Sequence, residues 1–174
     1  MDGALVSVLL REVERQSGFG IVAEKDLREA LAASDNDRVW YSIQALLVAA
    51  GNVSKLLWPA AAASADRGTA LREALDIEDS SPLQPRTFRN HFEHFDERLE
   101  AWAKYSEHRD IVDSNIGSMN MVKGLDAGDC LRNFDTDKFA VTFRGDTYSL
   151  EPISGELNRL GKRQRRDSEA QPEM

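Results

Sequence analysis

A chain of 174 residues with 41% hydrophobic and 30% charged side chains is long enough for one main domain with a small appendage, and it has the composition of an ordinary globular protein. Its formal net charge of −8 excludes a non-specific nucleic-acid coat protein, which relies on broad phosphate neutralisation by Lys and Arg. One cysteine, Cys130, excludes an internal disulfide framework and fits a reducing cytoplasm.

Val6, Leu9, Leu10 and Val13 recur at helical spacing, which predicts a first helix over 2–16. Its apolar stretch Ala4–Leu10 is too short to span a membrane, follows Asp2 rather than a basic region and carries no cleavage signal, so no membrane association is expected. Gly18 and Gly20 then interrupt, and Ile21–Ala33 is a second helical piece with Leu27 and Leu31 on one face. Ser34-Asp35-Asn36-Asp37 offers capping oxygens before Val39, Trp40, Ile43, Leu46, Leu47 and Ala50. That helix is apolar over a wide arc and should be central to the core, ending at Leu57 or Trp58 because Pro59 disfavours helix before it. Ala60–Ala65 is a low-complexity connector or a helix extension, and Thr69–Ile77 a short helix with Leu71, Ala74 and Leu75 inward.

Ser81-Pro82-Leu83-Gln84 has the form of a capping box with proline at the first helical position. From there Phe88, Phe92, Phe95, Leu99 and Trp102 repeat at steps of four and three, the apolar face of a helix of about twenty residues. After Arg109, Gly, Asp, Asn and Ser dominate up to about Asp137. Phe139, Val141 and Phe143 then alternate with Ala140, Thr142 and Arg144, followed by Gly145-Asp146 and Thr147–Leu150, a β-hairpin with a two-residue turn. Cys130–Phe134 is a candidate third strand, 153–161 a short closing helix, and the charged tail 162–174 is expected to be disordered.

Within the long helix, Arg89-Asn90-His91-Phe92-Glu93-His94 carries the chemistry. Arginine is a fixed charged fork suited to phosphate, and histidine has the unperturbed pKa closest to neutral, so it can both take and give a proton. With Phe88 at 0° and about 100° per residue, Asn90 falls near 200°, His94 near 240° and Glu97 near 180°, away from the apolar stripe; Arg89, near 100°, lies on its flank. Arg89 and His94 are thus about 140° apart on one helix. That is a poor single site, and two helices crossing in a dimer would repair it. His91 and His94 with Glu97 or His108 could alternatively bind zinc, but Arg89 and Arg98 nearby disfavour a cation. The aromatic stripe is better read as core packing than as a ligand groove. Glu93, Asp96, Glu97 and Glu100 form an acidic flank, solvated or pairing with Arg86 or Arg98 across an interface.

The string resembles helical HEPN domains (higher eukaryotes and prokaryotes nucleotide-binding), which carry an Arg, four to six residues and then a His, with Asn, Asp or His favoured after the Arg. Arg89-Asn90-x-x-x-His94 matches the four-residue form, and Arg89–Arg98 as a whole is similar to the same stretch in small bacterial proteins of this group. The resemblance covers roughly 2–108. It implies a helical bundle, usually a homodimer in which motifs of two chains meet in one cleft. Many members are metal-independent endoribonucleases of toxin–antitoxin or antiviral systems, and others have lost catalysis. A Tyr often stands two residues after the family His; here that position is Asp96, which weakens any tie to the nucleotidyl-acceptor branch.

The expected architecture is therefore mainly α: an antiparallel HEPN-like bundle over 1–108, a β-hairpin-containing appendage over 109–161 and a tail over 162–174. Arg89, Asn90 and His94 are the candidate catalytic residues, with Arg86, His91 and Arg98 as candidate substrate-binding residues and no metal or cofactor. RNA is the expected substrate, for a cytoplasmic homodimer that could also engage an antitoxin or other protein partner. The alternative is a catalytically silent HEPN-like interaction module that binds a protein or a nucleotide.

Overall fold

Thirty residues from Gly3 to Ala32 form one helix, α1, capped by Asp2, whose Oδ1 accepts from the Ala4 N–H at 2.9 Å. This is a computed structural model, and it describes residues 2–85, 94–106, 110–118 and 127–169, the last seven by their backbone alone. The expected break at Gly18 and Gly20 is absent. A helix-interior glycine costs only about 1 kcal/mol, and the closely packed elements around Gly20 offset that cost. A Cβ at Gly20 would lie 2.5 Å from Leu157 Cδ1, so the position is kept bare by its neighbour rather than by a turn.

Helix α2, Asn36–Leu57, begins and ends as its signals predict: Asp35 accepts from the Arg38 N–H at 3.1 Å, and the helix stops one residue before Trp58-Pro59. It folds back along α1. Arg38 ties the turn by reaching Asp26 at 3.1 Å and Glu29 at 3.0 Å, and Asn52 donates to Gln16 further along. After a 3₁₀ turn at Ala62–Ser64, helix α3 covers Ala65–Leu75, about one turn earlier than its apolar pattern suggests. It ends where Asp76 turns left-handed at φ 53° and the Ile77 N–H bonds to Arg72 O. Arg72 donates to Leu57 O at 2.6 Å and stacks over Trp58, which satisfies a carbonyl at the end of α2.

Ser81–Gln84 does not open a helix. The Gln84 N–H closes a turn onto Ser81 O, the Ser81 hydroxyl accepts from Leu83 N, and Leu83 is buried. Helix α4 spans Phe95–Tyr105, eleven residues, and Phe88 and Phe92 lie outside the described residues.

Four short strands follow: β1 Asn115–Ile116, β2 Arg132–Asp135, β3 Ala140–Phe143 and β4 Asp146–Ser149, in the order β1-β2-β3-β4. β1 runs parallel to β2, while β2–β3 and β3–β4 are antiparallel, with Phe134 opposite Val141 and Phe143 opposite Asp146. The hairpin is where it was expected, but its turn is Arg144-Gly145, one residue earlier than Gly145-Asp146. Both turn residues have positive φ, 47° and 94°, as the twist of a tight hairpin demands. The Arg144 N–H is held by the carbonyls of Cys130 and Leu131. Phe139 belongs to the preceding turn rather than to β3.

Helix α5 runs from Leu150 to Glu169, well beyond the expected 153–161 and into the segment expected to be disordered. The last five residues, 170–174, lie outside the described ones.

The chain divides into two units, Met1–Arg86 with Pro152–Met174, and Thr87–Glu151, rather than at 108/109. The first is helical, with Val13, Leu27, Ile43, Leu46, Leu57, Leu71, Leu157 and Leu160 buried. The second holds the sheet and α4, with Leu131, Phe134, Val141 and Phe143 buried. Within the second unit α4 is held by Phe143, Arg132 and Asp129. Among the described residues the protein is mainly helical, and no single helix is long and apolar enough to cross a membrane.

Two glycines test this packing with opposite signs. At Gly68 a Cβ would meet Leu57 O and Pro59 Cδ, both at 2.6 Å, so backbone would have to move; Gly68→Ala should destabilise the fold by about 1–3 kcal/mol. At Gly18 nothing lies within 4 Å, and Gly18→Ala should stabilise by up to about 1 kcal/mol if α1 is continuous. Urea melts of both variants check this; a destabilising Gly18→Ala would restore the broken-helix view.

Candidate functional site

Of the residues proposed from the sequence, Arg86, Arg89, Asn90 and His91 lie outside the described residues, while His94 and Arg98 lie within them. His94 is not inside a helix: with φ −114° and ψ 38° it stands at the N-cap of α4 and makes no side-chain cap bond. Its carbonyl accepts from the Arg98 N–H at 3.1 Å. The imidazole is half exposed, its Nδ1 3.4 Å from Glu97 Oε1. In the tautomer that carries its proton on Nδ1, the imidazole donates to this carboxylate and turns Nε2 the other way. Asp96 and Glu97 in the first turn are favourably placed against the helix dipole. Arg98 is half-buried, and its Nε has no hydrogen-bond partner among the described residues.

The position of His94 depends on how α4 is held. Phe95 packs edge-on against Phe143 at 6.4 Å between centroids, and the Arg132 guanidinium sits over the Phe95 ring at 4.5 Å. Two turns on, the Trp102 indole N–H donates to Asp129 Oδ1 at 2.8 Å, and the Ser106 hydroxyl donates to the same oxygen at 2.7 Å. Phe95, Leu99 and Trp102 were expected as core. Phe95 and Trp102 are half-buried, Leu99 is exposed, and no residue of α4 is fully buried. Anchoring is by ring contact and hydrogen bonds at two points rather than by a continuous apolar seam.

Arg132 is itself fixed by a two-pronged pair with Asp113: Nε reaches Oδ1 at 2.7 Å, and Nη2 reaches Oδ2. Beside it Asn115 donates to Asn133, across β1 and β2. Burial pushes the Asp113 carboxyl up, but the Arg132 hydrogen bond and charge, with help from Ser114, bring it below the usual carboxylate range. Burial and the Asp113 charge raise the Cys130 thiol, so it stays protonated and unreactive at neutral pH. None of Asp113, Asp129 or Arg132 stood out in the sequence, because their partners lie at distant positions. Phe95 and Trp102 carried a signal, and it pointed to packing.

Among the described residues no cluster of three or more His, Cys, Asp or Glu side chains could hold a metal; His91 and His108 of the zinc alternative lie outside them. Two surface depressions lie along α1, one lined by Ile21, Glu24, Lys25, Arg28, Glu29 and Ala32 and one by Arg11, Glu14, Arg15, Gly18 and Gly161. Neither includes His94, and the charges of the first pair among themselves, Arg28 with Glu24 and Lys25 with Glu29.

Comparison with protein-family models, curated proteins and solved structures gives no match.

Asp113→Asn should lower the stability of the second unit by about 1–2 kcal/mol at neutral pH, the worth of a partly exposed charge-assisted pair. Because the folded pKa is lowered, the carboxylate's contribution is complete above the ordinary value of about 4 and is lost as pH falls through the folded value. Denaturant melts at neutral and acid pH should show the gap between variant and parent closing in acid. An unchanged gap would mean the pair is not the cause.

Proposed function

We propose that the chain is a HEPN-type, metal-independent endoribonuclease or RNA-directed effector of the toxin or defence kind. It would work as a cytoplasmic homodimer, with its helices arranged as an antiparallel bundle. The observation that carries this reading is His94: an imidazole half exposed, held at Nδ1 by Glu97, and five residues after Arg89 in the Arg-Asn-x-x-x-His string. A histidine kept for packing would be buried, and this one is presented to solvent with one nitrogen oriented and the other available.

RNA supplies its own nucleophile, the 2′-hydroxyl, so cleavage needs positioning, proton transfer and charge stabilisation. The 2′-oxygen attacks phosphorus, the bond to the 5′-oxygen breaks, and the proton lost from the 2′-hydroxyl is balanced by one given to the leaving oxygen. His94 serves as the acid or base in that exchange, and Arg89 holds the phosphate and offsets its developing charge. Asn90 orients the imidazole or the substrate, while Arg86, His91 and Arg98 bind the strand on either side.

A second reading, a catalytically silent module that binds a protein or nucleotide through the same face, draws support from charge. The chain is at −8 overall, and Asp96, Glu97 and Glu100 are all exposed on the first turns of α4, where they repel a polyanion.

The purified protein should cleave single-stranded RNA in EDTA and leave 2′,3′-cyclic phosphate and 5′-hydroxyl ends. His94→Ala should slow cleavage by about 10²–10⁴, the usual value of one acid–base group, without unfolding the protein. Arg89→Ala should cost a comparable factor. A mixed dimer of the two variants that regains activity would mean that Arg89 of one chain works with His94 of the other. No cleavage, or cleavage untouched by both substitutions, sinks the nuclease in favour of the silent module.

A further inference from the structure

Helix α1 carries an apolar stripe that the fold leaves uncovered. Leu5, Val8, Phe19 and Val22 are 46–59% exposed, far more than large apolar side chains of a closed core. They belong to a longer series, Leu5, Val8, Glu12, Arg15, Phe19 and Val22, spaced alternately by three and four residues. This is the seven-residue repeat by which two helices pair along a common seam. The series spans about 26 Å of helix at 1.5 Å per residue.

Its order is self-complementary. When two copies lie antiparallel with the twofold axis between residues 13 and 14, Leu5 of one copy meets Val22 of the other and Val8 meets Phe19. Glu12 then meets Arg15. Apolar residues therefore meet apolar ones in the outer layers, and opposite charges meet in the two central layers. Within one chain Arg15 Nη1 already lies 3.1 Å from Glu12 Oε2, so pairing joins two such ion pairs into one alternating group of four. A parallel arrangement would instead set Glu12 against Glu12 and Arg15 against Arg15, bringing like charges together.

We propose that this face of α1 binds a second copy of the same chain, antiparallel, in the register that sets Val8 against Phe19 and Glu12 against Arg15. The proposal does not rest on the nuclease reading, and its readouts involve no RNA.

The full-length chain should sediment as a reversible dimer at micromolar concentration. Phe19→Asp and Val22→Asp should each raise the dissociation constant at least about tenfold, with the helical circular dichroism unchanged because both side chains are exposed. Charge reversal tests the register. Glu12→Arg alone places only positive charge in the central layers and Arg15→Glu alone only negative, so each should be mainly monomeric. An equimolar mixture of those two variants should form a heterodimer, and the double variant E12R/R15E should recover the parent's affinity. Cross-linking fixes the direction: V8C mixed with F19C should form an intermolecular disulfide, while V8C alone should not. The native Cys130 is buried and does not compete. A monomer at all concentrations, a dimer unaffected by Phe19→Asp and Val22→Asp, or cross-linking of V8C to itself would overturn the proposal.

Discussion

The close approach of α5 to α1 is the constraint on which the helical unit depends. A side chain at Gly20 would run into Leu157, and one at Gly161 would come within 2.9 Å of Ile21, so the two helices meet where each lacks a side chain. Leu157 thereby fills the space over α1 and α2, and Leu160 is buried a turn beyond. Around this contact Asn158 reaches Glu24 at 3.1 Å, and Arg159, gripped by Glu156, extends to the Leu75 carbonyl at the end of α3. The segment that closes the unit thus lies far along the chain from the helices it covers.

Arginine recurs at several helix ends and loops. Arg38 ties the α1–α2 turn, Arg72 caps α2, Arg159 reaches the last residue of α3, and Arg132 joins Asp113 to the ring of Phe95. A guanidinium can serve a carbonyl or carboxylate at its edge and an aromatic ring at its face at once, which suits these junctions. In α4 this style of anchoring leaves the start of the helix, with His94, open to solvent.

Local signals were legible wherever they act locally. The Asp35 cap, the stop at Pro59, the hairpin and its alternation are each decided within a few residues, and each stands close to where it was expected. What failed was decided at a distance. Gly18 and Gly20 look like a break until Leu157 is seen over Gly20. Ser81-Pro82-Leu83-Gln84 has the letters of a capping box, but Leu83 is drawn into the core and Ser81 closes a turn. The charged sequence past Leu160 reads as a tail, yet its backbone continues the helix. The placement of α4 with the sheet depends on Trp102 finding Asp129 and on Phe95 finding Phe143, partners that no local pattern announces. Of the candidate site, only His94 and Arg98 can be compared with expectation. His94 is exposed as its position on the helical wheel implied, although it caps the helix rather than lying within it.

The discontinuity of the helical unit also sets an order of assembly on the ribosome. The α1–α2 hairpin and α3 are complete within the first 77 residues, but the side chains that cover Gly20 are made 80 residues later, and the Glu24–Asn158 bond spans 134 positions. At a synthesis rate of about 5–20 residues per second, the face awaiting α5 stays open for on the order of ten seconds. Contacts of such long sequence separation form late and slow the final folding step. Until α5 is made, the surface around Gly20 and Ala49 that Leu157 covers has no partner, and the sheet-bearing unit is synthesised in that interval.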